Sequence, residues 1–141
     1  MTPSRYTHLS RSYIRLNLVY TEQAFIYLLA GLLIFLINGI LLLGINTDSV
    51  YILWLFGFVS SMIFGITNIM VPSYGNWNEF PKGRIVVEII CLNLGTIISF
   101  IGLNLESVQA LFGLGILLLI IAVLIHLVDM TSSRMSREDP D

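Results

Sequence analysis

Four long apolar runs, separated by short polar connections, set the pattern of this chain. They cover residues 24–43 (AFIYLLAGLLIFLINGILLL), 50–71 (VYILWLFGFVSSMIFGITNIMV), 85–105 (IVVEIICLNLGTIISFIGLNL) and 107–128 (SVQALFGLGILLLIIAVLIHLV). A bilayer-spanning helix needs about 20 mostly apolar residues, and a helix of that length satisfies its own backbone in lipid. The connections at 44–47 and 104–107 are short, so the helices they join are expected to be antiparallel neighbours. The middle connection, PSYGNWNEFPKGR, is longer. Its Tyr74 and Trp77 suit a headgroup layer, and Pro72 and Pro81 are expected to stop the flanking helices. The pattern predicts an all-α, integral membrane four-helix antiparallel bundle forming one domain.

Outside the runs, residues 1–23 read as a cytoplasmic N-terminal segment. Within it, HLSRSYIRLNLVY (8–20) mixes apolar residues with Arg11 and Arg15. It is either an amphipathic helix on the inner surface or, the preferred reading, a cytoplasmic extension of the first helix. Residues 129–141 are expected to form a polar, frayed cytoplasmic tail.

Charge fixes an orientation. The seven basic residues are Arg5, Arg11, Arg15, Lys82, Arg84, Arg134 and Arg137. In the antiparallel topology all fall on one side, which predicts a cell-membrane protein with both termini cytoplasmic. Only 11% of residues are charged and 56% are hydrophobic, with mean hydropathy +0.86. A soluble domain carries about 25% charged residues, so the solvent expected here is lipid. No basic cluster interleaved with aromatics points to nucleic acid. Cys91 has no second cysteine to pair with and no C-x-x-C spacing. The first run is too long for the core of a cleavable signal peptide, so none is expected. The polar segments are too short to hold an enzyme site, so the chain is not expected to be an enzyme on its own.

Two stripes of small residues stand out. Gly57, Ser61 and Gly65 recur every four residues in the second run. Gly95, Ser99 and Gly102 share a face of the third with Glu88 and Cys91. Small residues let helices approach closely in lipid, so the two stripes are expected to pack against each other or against another chain.

Ionisable groups at membrane depth are costly and become functional candidates. Asn68, Glu88 and His126 each lie about one turn from the cytoplasmic end, which places them in one layer. One reading is a site able to relay protons or bind a cation. The other is an interfacial hydrogen-bond layer with Glu88 paired to Arg84. Asn93 and Asn38 are expected to make interhelical hydrogen bonds. Two histidines, His8 and His126, do not readily supply a bis-histidine haem. Met62 and Met70 read as packing rather than ligands. No cofactor, catalytic triad or metal is expected on this chain.

GFVSSMIFGITNIMVP (57–72) and LNLGTIISFIG (92–102) resemble segments of small four-helix membrane proteins related in pattern to the NnrS family and to the catalytic subunit of haem–copper oxidases. There one helix reads G-W/F-V-x-x-M-I-F-G followed by M-x-P, and the next carries L-N-x-G. Metal-binding relatives place histidines early in the second helix and just before the M-x-P step. Here those positions hold Val50, Ile52, Asn68 and Ile69. The resemblance therefore implies a scaffold without the metal site. It implies an accessory subunit of a membrane oxidoreductase complex, packed against other integral membrane subunits and lipid, with any haem or copper in the partners. Two other expectations stand beside it: a small oligomeric proton, ion or solute transporter using Glu88, and an NnrS-like assembly or stress-response protein.

Overall fold

The computed structural model describes residues 9–75, 78–105 and 108–135, with the side chains of the last three left aside. His8, Trp77, the 106–107 turn and the tail beyond residue 135 lie outside the described residues. All the described secondary structure is helical: α1 (Arg11–Leu41), α2 (Thr47–Ile52), a π-helical turn (Leu53–Val59), α3 (Ser60–Gly75), α4 (Lys82–Asn104) and α5 (Gln109–Met135). From α2 to α3 the chain is one continuous rod, so four helices are long and apolar enough to cross a membrane.

The helices reach further at one end than the apolar runs suggested. Residues 11–23 continue α1 as helix, and α5 runs past Val128 to Met135. The start of α1 is capped by Ser10, whose hydroxyl accepts from the Tyr13 amide. Ser10 also bonds Glu79 through its amide and, at 3.0 Å, through its hydroxyl. Lys82 Nζ donates to Ser12 Oγ at 2.6 Å. These bonds tie the middle connection onto the start of α1 and seat Phe80 in the core beside Leu9 and Tyr13. Arg11, Arg15, Lys82 and Arg84 therefore gather at one end of the bundle, here called the basic end.

Pro72 does not stop its helix, contrary to expectation; α3 runs on to Gly75. A proline leaves the carbonyl four residues earlier without its helical donor. That carbonyl belongs to Asn68, and the buried Tyr13 hydroxyl donates to it at 2.6 Å. A hydrogen bond from α1 thus replaces the one that proline removes, and the helix continues.

The opposite end is closed by asparagines. Leu42 and Gly44 take positive φ, 50° and 69°. Asn38 clasps this turn by bonding both the carbonyl and the amide of Ile45, at 3.0 and 3.1 Å. Its side chain stitches its own connection, where a bond between helices was expected. Asn104 Oδ1 accepts from the Asn46 amide at 2.9 Å and ties this turn to the end of α4.

The small-residue stripes meet partners other than those expected. A side chain at Gly57 would collide with Tyr27, and one at Gly65 with Tyr20. Ser61 bonds Gln23. The first stripe is therefore the seat for α1. Gly95 and Gly102 instead face Gly115, Leu119 and the backbone of Phe112, and Ser99 faces Gly115. The second stripe is the seat for α5. Each stripe packs within the chain, because the neighbour in sequence is also the neighbour in space. Large apolar side chains such as Phe25, Leu33, Ile63, Val87 and Leu124 cover the outside, and polar ones concentrate inside.

Candidate functional site

The interior face of α1 is a stripe at alternating spacings of four and three: Tyr13, Asn17, Tyr20, Ala24, Tyr27 and Gly31, all buried. It carries polar tips inward, while Phe25, Leu29 and Leu33 lie on the exposed face of the same helix. Those tips organise two polar layers.

Glu88 is the centre of the first. It is 0% exposed, in the first half of α4. Its Oε1 accepts from the Tyr20 hydroxyl at 2.6 Å. The same oxygen lies 3.3 Å from His126 Nδ1 on α5, within ion-pair range though off the line of a hydrogen bond. The other ring nitrogen, Nε2, lies 2.9 Å from Thr67 Oγ1 on α3. The imidazole stacks on Phe64, centroids 4.2 Å apart and planes 10° from parallel, so its orientation is fixed.

Counting protons shows what this arrangement can do. The Thr67 hydroxyl has one proton and three claimants, the Ile63 carbonyl at 2.8 Å, the Phe64 carbonyl at 3.2 Å and His126 Nε2. When it donates to His126, the imidazole carries its own proton on Nδ1, toward ionised Glu88. When it donates to either carbonyl, His126 must donate through Nε2. Nδ1 and Oε1 would then face each other as two acceptors unless a second proton lies between them. The two arrangements differ by one proton and by rotation of one hydroxyl.

One turn toward the basic end, Arg84 donates to Asp129 Oδ1 at 2.7 Å. Arg84 is half exposed, whereas the Asp129 side chain is 1% exposed. Arg84 therefore pairs with Asp129 and not with Glu88, because α5 stays helical past residue 128 and carries Asp129 into the bundle. Asn68 is buried, and neither polar atom of its side-chain amide has a hydrogen-bond partner. Of the expected layer, Glu88 and His126 meet directly, while Asn68 bonds neither and its carbonyl accepts from Tyr13.

The second layer lies one turn further from the basic end. Tyr27 donates to Asn93 Oδ1 at 2.7 Å, and Asn93 Nδ2 donates to Gln23 Oε1 at 2.6 Å. Gln23 Nε2 donates to Ser61 Oγ at 2.9 Å. This chain of donors crosses α1, α3 and α4 and contains no ionisable carboxylate or imidazole. Asn93 makes the interhelical bonds expected of it.

Sequence reading missed Tyr20, Thr67, Asp129, Gln23 and Tyr27. The signal for three of them was available in the polar tips on α1. Among the described residues, no group of three or more His, Cys, Asp or Glu side chains is gathered as metal ligands would be. No family model matches the sequence, and no curated protein or solved structure matches it.

Proposed function

We propose that the chain is a multi-pass protein of the cell membrane, with both termini cytoplasmic, that takes up and releases one proton at Glu88 and His126. The event would drive movement of an ion or solute through a small, oligomeric transporter. The membrane reading draws support from the four long apolar helices, the apolar exterior over a polar interior, and the basic end. The observation that carries the proton reading is the contact between Glu88 Oε1 and His126 Nδ1, with Thr67 as a rotating donor behind it. A buried carboxylate is costly unless paired, so adding or removing one proton here changes the charge balance of the whole layer. Tyr20 holds the carboxylate in place through either state.

The accessory-subunit reading has less behind it. One of its motives, a small-residue stripe open to another chain, is weakened, since both stripes are occupied within the chain.

The test is histidine NMR and carboxyl infrared spectroscopy on the protein in lipid nanodiscs, across roughly pH 5 to 9. The proposal expects a His126 signal and a carboxyl band that change together, with both changes lost in Glu88→Gln. A His126 response identical in Glu88→Gln would reject it.

A further inference from the structure

Six buried side-chain atoms, in the first layer and on the turn beside it, have no hydrogen-bond partner. They are Asn17 Oδ1, Asn68 Oδ1 and Nδ2, Glu88 Oε2, His126 Nδ1 and Asp129 Oδ2. They come from α1, α3, α4 and α5. An unsatisfied buried polar atom costs about 1–3 kcal/mol, so six together are not the by-product of packing. Four of the six are oxygen acceptors, which need a donor. Water supplies donors and acceptors together and bridges such groups in polar interiors.

We infer that these atoms line a hydrated chamber, and that Asp129 is the carrier through which protons pass between the basic end and Glu88. The inference rests on the proton reading of Glu88 and His126. Its motive is the stacking of two pairs on the same two helices. Glu88 and His126 form the inner pair; four residues before Glu88 and three after His126 lie Arg84 and Asp129, the outer pair. Asp129 is itself buried, yet its guanidinium partner is half exposed, so the outer pair connects surface to interior.

The ionisable groups around the chamber are few. α1 contributes Tyr13 and Tyr20, α4 contributes Arg84 and Glu88, and α5 contributes His126 and Asp129. α3 contributes only the neutral Thr67 and Asn68, and Glu79 of the middle connection is bonded to Ser10. Arg84 keeps its charge throughout. A proton arriving from outside forms an O–H bond at Asp129 Oδ2. That bond breaks as the proton moves to a chamber water, which passes one of its own protons to Glu88 Oε2. Each O–H bond formed matches one broken, and the water is left neutral.

Two variants test the path by the rate of the spectroscopic response after a pH jump. Arg84→Gln/Asp129→Asn removes both charges together and leaves neither one bare. Asn68→Leu fills the chamber with an apolar side chain. Each is expected to slow the response roughly tenfold or more while the response itself persists. Wild-type rates in both would overturn the Asp129 path and leave the Glu88–His126 reading standing. Absence of any pH response in the unsubstituted protein would sink both. Hydration is read without substitution, by magnetisation transfer from water to the His126 ring; transfer is expected, and its absence overturns the chamber.

Discussion

Two polar layers, one helical turn apart, use the same four-helix interior in opposite ways. The layer of Gln23, Ser61, Tyr27 and Asn93 is a closed chain in which each amide and hydroxyl finds a partner. The layer of Glu88, His126 and Asn68, with Asn17 and Asp129 beside it, carries ionisable groups and leaves six atoms without one. A closed neutral network holds helices together and has one lowest arrangement. An open ionisable one has several arrangements of similar energy, which proton exchange requires. The contrast teaches that polarity inside an apolar bundle is not by itself a sign of function. Incompleteness and charge are the better signs.

Separating the layers experimentally starts where the largest loss is expected. Gly57 sits under Tyr27, and Gly57→Val would drive that ring away from Asn93. Overpacking of this kind costs about 3 kcal/mol, to be read as a lowered unfolding midpoint in mixed micelles. The pH response proposed for His126 should survive in the folded fraction, since the closed layer and the Glu88–His126 contact are separate.

Asn93→Leu removes the centre of the closed layer and strands Tyr27 and Gln23. The expected cost is roughly 2 kcal/mol, above the usual value for one interhelical bond because two buried partners lose their acceptor or donor. A negligible cost would mean the closed layer is dispensable and the contrast between layers is misdrawn.

Glu88→Gln should behave in the reverse manner. The amide oxygen can still accept from Tyr20, so stability is expected to shift by no more than about 1 kcal/mol. The coupled His126 and carboxyl response should disappear. A loss of stability comparable to that of Asn93→Leu would make Glu88 a structural group and erase the distinction.

How much of this was readable in the residues differs between fold and site. The helix count followed from apolar length, and Glu88 and His126 were found from depth along each helix. Pairings were not readable. Arg84 and Glu88 are four apart on one helix and look like partners, yet Arg84 is bonded to Asp129, which sequence placed in a frayed tail. Whether α5 ends at Val128 or continues decides that pairing, and hydropathy falls at Asp129 in either case. The glycine stripes were visible as contact faces, but a periodic face does not name what lies opposite. Tyr13, Tyr20 and Tyr27 stand in the sequence among apolar neighbours and read with them as part of the apolar pattern. Their spacing with Asn17 and Ala24 was the stronger cue.

The smallest expected effect concerns the place where fold and site share a bond. Tyr13 donates to the Asn68 carbonyl that Pro72 leaves without a helical partner. Tyr13→Phe should therefore cost about 1 kcal/mol, the value of one buried hydrogen bond. Pro72→Ala restores an amide at that position, and the helix can satisfy the Asn68 carbonyl alone. In that background Tyr13→Phe should cost measurably less, a coupling of roughly 0.5–1 kcal/mol in a double-mutant cycle. Equal costs in both backgrounds would show that the Tyr13 bond does not substitute for the missing helical one. The cycle also bears on the layer comparison. If Asn68 is held in place from α1 by Tyr13, loosening that hold should change the rate of the His126 response before it changes stability. The closed layer, one turn away, should show no such change.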